Sequence, residues 1–291
     1  GLEVRVGIQC HGQGLETTLA QVAHEILGLD IESIKIVHGD TELSPYSTGT
    51  WGSRVMVMSG GAVATACEIL CERIQLIGAH LLQAELDDIR VDDGYVKAPS
   101  GQISLIDVAR TWYYRPQDLP ANVDRQGLEV TAGYKPRRDD GTFSYAAHAA
   151  VVAIEPNFGT VEIIKYVVVE DGGVLVNPMI VDGQILGGAA QGIGTALYEE
   201  MPFDENGQPL FSTLADYVLP GATEVPNIHI EHMETPSPYS LFGQKGIGEG
   251  GAIGSVAAVT NAVNDALCGI GAEVCETPMT PKRILTAIQD A

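Results

Sequence analysis

Positive charge is scarce in this chain of 291 residues: 16 Lys and Arg stand against 38 Asp and Glu, a formal net charge of −22 at pH 7. Such a chain repels phosphate backbones and anionic bilayers, so neither nucleic acid nor a membrane surface is an expected partner. No run of about 18 apolar residues occurs, and no bilayer-spanning helix is expected. Cysteine is sparse: Cys10, Cys67, Cys71, Cys268 and Cys275 contain no CxxC pair. An odd count in an acidic chain points to reduced thiols and a cytoplasmic location. Cys67 and Cys71 are four apart on an expected helix and read as small core side chains. His229 and His232 lie three apart in a segment that reads as a strand, where they face opposite sides, so a two-histidine metal site is not expected. With 19% charged and 45% hydrophobic residues, the chain is no acidic disordered tail.

Glycine is abundant, at 34 residues, against a usual share of about 7%. It is clustered, which points to tight backbone sites rather than to a linker. The chain opens on Gly1 inside an alternating segment (Leu2, Val4, Val6, Ile8) and reads as a piece of a longer protein. Residues 2–9 form the first expected strand. Gly12-Gln13-Gly14 then precedes a helix with a 3.6-residue stripe, Leu15, Leu19, Val22, Ala23, Ile26 and Leu27, stopped near Gly28. A strand at 33–38, a Gly/Ser/Thr-rich stretch at 41–58 and a long helix through Val63, Cys67, Leu70, Ile74, Ile77 and Leu81 follow.

The middle of the chain reads as mostly β, with a short hairpin at 88–104 and a polar loop at 114–126. The strongest hairpin signal is Ala146–Ile154, a turn at Pro156-Asn157-Phe158-Gly159, then Val161–Val169. Lys135, Arg137 and Arg138 run into Asp139-Asp140-Gly141, a solvated turn. Beyond Asn177-Pro178 a glycine-dense helix is expected from Gly183 to about 200. A strand at 227–233, a helix through Val256, Val259, Val263 and Leu267, and a short helix at 281–288 complete the chain. The expected architecture is α+β, with mixed β-sheets and glycine-led helices in two subdomains, residues 1–120 and 121–291.

Helix openings beside glycine offer unpaired N–H groups, positive dipole character and close backbone approach, a combination that suits a polyanionic ligand without many Lys or Arg. The competing role of such glycines is close helix packing, and for Gly187, Gly188, Gly192 and Gly194 both roles stay open. Gly246, Gly248 and Gly251 match GxGxxG. A dinucleotide fold is rejected there: the preceding segment is Pro- and Ser-rich, and too little chain follows to build the βαβ unit. Glu249, alone among glycines at a helix mouth, is either a surface helix-start charge or a functional base.

Several motifs in order resemble the molybdenum hydroxylases, the family of xanthine dehydrogenase, aldehyde oxidase and aerobic carbon monoxide dehydrogenase. They are Gly12-Gln13-Gly14 with Gly52-Ser53-Arg54, then Asp171-Gly172, Asn177-Pro178, Gly183-Gln184 and Gln191-Gly192-Ile193-Gly194, and last Lys245-Gly246-Ile247-Gly248-Glu249. The resemblance covers essentially the whole chain and is to the C-terminal half of the molybdopterin-binding subunit.

It implies a molybdenum held by a pterin dithiolene, in the cytosine dinucleotide form, with no protein ligand to the metal. Gln13 would touch the cofactor, flanked by Gly12 and Gly14. Gly52, Ser53 and Arg54 would lie along its pyrophosphate end, and Gln184 would hydrogen-bond the pterin. Gln191, Gly192, Lys245, Gly246 and Gly248 would complete the contacts. Glu249 would be the base in the oxidation of an aldehyde, N-heterocycle or similar electrophilic carbon with oxygen derived from water. The implied partners are the N-terminal half of the subunit and iron–sulfur and FAD subunits or domains. The alternative is a non-catalytic assembly module of the same fold that binds no cofactor in isolation.

Overall fold

The computed structural model describes residues 1–138 and 142–291, so the Asp139-Asp140-Gly141 turn lies outside the described residues. The chain forms two compact units, Gly1–Thr142 with Pro238–Gln244, and Phe143–Ser237 with Lys245–Ala291. Among the described residues no helix is long and apolar enough to cross a membrane.

In the first unit, β1 (Leu2–Arg5) and β2 (Ile34–Val37) pair in parallel around α1 (Leu15–Leu27). The apolar stripe of α1 is buried, and the helix begins at Gly14 and ends at Gly28, both left-handed at φ +70° and +58°. A side chain at either position would strain that backbone, which is why glycine brackets the helix. A π-helical turn, Met56–Gly60, leads into α2 (Gly61–Leu82), whose Cys67 is buried in the core. The expected hairpin at 88–104 is a three-stranded antiparallel sheet of β3 (Arg90–Asp92), β4 (Tyr95–Ala98) and β5 (Gly101–Ser104).

Helix α3 (Leu105–Tyr114) follows in a region read from sequence as β. Ser104 caps it, its hydroxyl oxygen accepting from the Asp107 amide at 3.0 Å. The boundary expected after residue 120 falls instead after Thr142. The reason is Arg73 on α2, which is buried and donates to the carbonyls of Gly127 (2.7 Å) and Glu129 (3.1 Å). Val123, Leu128 and Val130 then pack on the first core.

In the second unit, β6 (Tyr145–Glu155) and β7 (Thr160–Asp171) form the long hairpin, and β8 (Ile228–Met233) pairs in parallel with β7. One face of this sheet is covered by α4 (Pro178–Leu197) and α5 (Gly250–Cys268), and α6 (Pro281–Asp290) packs near the hairpin turn. Helix α4 starts at Pro178, not at Gly183. Asn177 caps it through Oδ1, which accepts from the Ile180 amide at 3.1 Å, and proline fits the first turn because no N–H is needed there. Gly183 and Gln184 therefore lie inside the helix, and its glycines do not open it.

Those glycines divide by face. A Cβ on Gly188 would come within 2.7 Å of the Ala252 amide, and one on Gly192 would overlap the Ser255 hydroxyl, so this pair lets α4 and α5 pack backbone to backbone. A Cβ on Gly183 or Gly187 would meet nothing within 4 Å. Packing and open approach thus both occur, on opposite faces of one helix.

A buried ion pair fixes the strand end beside these helices. Asp171, at the end of β7, has a side chain 0% exposed and accepts from Lys245 Nζ (2.8 Å), Tyr145 Oη (2.8 Å), the Gly173 amide (2.9 Å) and the Thr235 amide. These donors hold its carboxyl well below the usual carboxylate range against the opposing effect of burial. The Lys245 amide also donates to the Gly172 carbonyl at 2.8 Å.

Two stability predictions follow from this packing. Gly188→Ala should lower unfolding free energy by about 1–3 kcal/mol through overpacking, whereas Gly187→Ala should raise it by up to about 1 kcal/mol through helix propensity; denaturant midpoints decide. Because the folded Asp171 carboxyl titrates below its unfolded value, its contribution is complete above the unfolded pKa of about 4 and is lost as pH falls further. The acid limb of the stability–pH curve should therefore flatten in Asp171→Asn, while Lys245→Met should cost about 3–5 kcal/mol at neutral pH.

Candidate functional site

In the first unit the two glycine motifs are brought together. The Gln9 amide donates to Thr50 Oγ1 (3.0 Å) and Thr50 Oγ1 donates to the Gln9 carbonyl (2.6 Å), tying the loop before α1 to the loop before α2. Gln13 braces its own loop. Its amide oxygen accepts from the His11 backbone (2.5 Å) and its amide nitrogen donates to the Gln9 carbonyl (3.2 Å). Gly12, at φ +101°, has open space where a Cβ would stand, and so has Gly52 at φ +61°.

Ser53 follows Gly52 in the same left-handed region at φ +57°, an uncommon conformation for a residue with a side chain. The Arg54 guanidinium stacks 4.9 Å over the Trp51 ring and donates to Thr48 Oγ1 (3.1 Å). At the α1 opening, Gly14 supplies no side-chain cap. Glu16 in the first turn is held below its usual pKa, chiefly by its hydrogen bond to His38 at 2.8 Å. The basic residues Arg137 and Arg138 anchor on Tyr239, the Arg138 guanidinium donating to its hydroxyl (2.8 Å).

In the second unit the site is the loop that opens α5. Lys245, expected to touch the cofactor, is buried with its ammonium engaged by Asp171 and lying 4.8 Å over the Tyr145 ring. Its place is structural: it fixes the start of the loop. The Gly246 carbonyl accepts from Ser144 Oγ (2.7 Å), and the Gly248 carbonyl accepts from Gln184 Nε2 (3.2 Å). Gly251 lies against α4, where a Cβ would stand 2.5 Å from the Ile185 carbonyl. This fixed loop presents Glu249, which is exposed, as the residue immediately before α5.

The bare stripe of α4 completes the arrangement: Gly183, Gly187 and Gln191 follow at fourfold spacing and all three are exposed. Gly192, expected in the binding set, is instead buried against α5. The structure thus joins Gln184, Gly248 and Glu249 around one helix opening, and joins the Gly12–Gly14 and Gly52–Arg54 loops within the first unit.

Sequence reasoning assigned no functional role to three polar groups of the second unit. Glu170 is buried at 1% exposure, and burial pushes its carboxyl up to about 7. His148 bonds Tyr166 Oη through Nδ1 (3.0 Å), and burial lowers its pKa. His232 bonds Asp182 Oδ1 through Nε2 (2.8 Å). Strand periodicity carried the signal for Glu170: it shares parity with the buried Tyr166 and Val168. The opposite-face expectation for His229 and His232 holds, His229 being exposed and paired with Glu231. Among the described residues no group of three His, Cys, Asp or Glu could hold a metal ion.

The chemistry of these residues suits a large anionic group. They offer uncapped helix openings, bare glycine backbone and amide side chains. Comparison with known proteins agrees. The family described as "Molybdopterin cofactor-binding domain" matches residues 1–226. The nicotine 6-hydroxylase large subunit of Paenarthrobacter nicotinovorans is 39% identical over 97% of this chain and 34% of its own length. The carbon monoxide dehydrogenase large chain of Hydrogenophaga pseudoflava is 35% identical over 98% of this chain and 35% of its own length. The crystal structure of quinoline 2-oxidoreductase from Pseudomonas putida 86 matches with a TM-score of 0.90 at 39% identity, covering 99% of this chain and 36% of that one. The chain spans about a third of the length of these relatives, not the half expected from its motifs. It belongs to the molybdopterin cofactor-binding family, as part of the molybdenum-binding subunit of the molybdenum hydroxylases.

Proposed function

We propose that this chain is the cofactor-binding and catalytic part of a molybdenum-dependent hydroxylase that oxidises an electron-poor carbon with oxygen derived from water. The observation that carries the reading is the braced loop at 245–249. Its first residue is locked on Asp171, Gln184 holds its Gly248 carbonyl, and it leaves one carboxylate, Glu249, at an α-helix opening. When bound, a molybdenum pterin supplies the redox chemistry and accepts the electron pair. The chain's own work is to bind that group and to move protons.

In this reading Gln184 and the amides at 246–248 hold the cofactor, and Gly183 and Gly187 let it approach the α4 backbone. Gly12, Gln13, Gly14, Gly52, Ser53 and Arg54 are proposed as cofactor contacts of the first unit, with Arg54 meeting phosphate. The cytosine dinucleotide form suits that assignment. Glu249 acts as general base, taking the proton released as the new carbon–oxygen bond forms. The electrons leave through iron–sulfur and FAD partners. Two of the similar proteins are named for nicotine and quinoline, which favours a nitrogen heteroaromatic substrate over an aldehyde.

In the assembled enzyme, Glu249→Gln should cut turnover by about 10²–10⁴-fold while molybdenum content by elemental analysis stays unchanged; full activity in that variant would remove the base. Gly187→Leu, placed where a Cβ meets open space, should leave the fold intact by circular dichroism and yet lower molybdenum content. Unaltered metal loading there would support the alternative, in which this part assembles the subunit without touching the cofactor.

A further inference from the structure

Beneath the opening of α5 the second unit buries polar atoms that no hydrogen bond satisfies among the described residues. Neither carboxylate oxygen of Glu170 has a partner, and the side chain stands directly under the helix: a Cβ on Gly250 would overlap Glu170 Oε1. Gly250 is the residue after Glu249. On the neighbouring strand His232 is the register partner of Glu170, and its Nδ1 is likewise buried and unpartnered. Its Nε2 reaches Asp182 Oδ1 at 2.8 Å, and the Asp182 side chain is 50% exposed against 22% for His232.

These groups form a row, from a buried acid under the α5 opening, through an imidazole, to a carboxylate in contact with solvent. The register pairing puts both side chains on one face of the sheet, and against the larger effect of burial the charge of His232 lowers the Glu170 carboxyl. Leaving such atoms unsatisfied costs stability, so a core retains them where they serve a purpose.

We propose that, once the cofactor and the rest of the subunit cover the exposed Glu249, Glu170, His232 and Asp182 form a proton-exchange path between the α5 opening and solvent. The proposal rests on the reading of Glu249 as the proton acceptor. One proton moves and no electrons do. The proton released from Glu249 is taken up by the Glu170 carboxylate, which becomes a carboxylic acid. Glu170 passes it to His232 Nδ1, the Nε2 proton leaves to Asp182 and from there to water, and the imidazole exchanges its Nδ1 proton for one at Nε2 before the next turnover. The bond to Asp182 selects the Nε2-protonated tautomer, which leaves Nδ1 free to receive. Glu170 and His232 act through Glu249 and are positioning residues, not catalytic ones.

Other titratable groups stand nearby. His148 on β6 has its Nδ1 on Tyr166 of β7, and its unpartnered Nε2 would lie 3.0 Å from a Cβ on Gly254 of α5. Asp171 and Lys245 neutralise each other. Burial holds the Glu170 acid near pH 7, where a relay group exchanges protons in both directions.

The test uses the assembled enzyme and the near-isosteric Glu170→Gln. Turnover should fall about tenfold or more with KM unchanged, the limb of the kcat profile near pH 7 should disappear, and the solvent deuterium isotope effect on kcat should rise. Infrared difference spectra against pH should show a carboxyl band titrating near neutrality that is lost in Glu170→Gln and kept in Glu249→Gln. An unchanged kcat profile and isotope effect in Glu170→Gln would overturn the path, as would persistence of the band in that variant. If Glu170→Gln fails to assemble, the surface variant Asp182→Asn should reproduce the slower turnover and larger isotope effect, and normal values in it would overturn the path. Full activity in Glu249→Gln, with the band still assigned to Glu170, would instead remove the base on which the path rests.

Discussion

The buried pair of Asp171 and Lys245 is the constraint on which the proposed site depends. A carboxylate taken fully out of water is tolerable only when donors replace its solvation, and Asp171 collects four, two from backbone amides and two from side chains. The partners lie 74 residues apart. The pair therefore fixes the end of β7 and the start of the α5 loop at once. With Lys245 committed to this role, the positive character of the loop comes from backbone amides, and Glu249 at its end is the one carboxylate of the loop. A rigid backbone with few side-chain charges is a suitable seat for a bulky anion, because amide dipoles cost no reorganisation when the ligand arrives.

The glycines show how one composition serves two purposes. On α4, Gly188 and Gly192 bring α5 close, which buries a continuous apolar seam, while Gly183 and Gly187 leave the opposite stripe without side chains. Close packing is thus what sets the α5 opening in place, and the bare stripe is what keeps the helix accessible. Packing and the proposed binding draw on different residues of the same helix, so substitutions there separate the two.

Much of this was legible in the sequence. The 3.6-residue stripe of α1, the alternating β-branched residues of β6 and β7 and the apolar spacing of α5 each arise from local periodicity, and each element forms where that periodicity runs. The ordered glycine motifs disclosed the family. Helix α3 was hidden because it is short and rich in β-branched and aromatic residues (Ile106, Val108, Thr111, Trp112, Tyr113), which favour strands, although Ser104 and Asp107 already wrote its cap. The start of α4 was misplaced because its glycines resemble a turn, whereas Asn177-Pro178 held the true signal. What no local pattern could disclose was partnership across the chain: which face of α4 meets α5, that Lys245 answers Asp171, and that residues 121–130 fold back on Arg73. The acid at Glu170 was visible as an inward charge in an alternating strand, but its isolation is a tertiary fact.

The central claim is that Glu249, presented by the loop braced on Asp171, faces the molybdenum of a pterin bound against the open stripe of α4. A crystal structure of the complete subunit with cofactor bound measures this directly. The account predicts the Glu249 carboxylate turned toward the metal, Gln184 hydrogen-bonded to the pterin, and no protein atom ligating molybdenum. A cofactor seated elsewhere, with Glu249 facing bulk solvent, would contradict it.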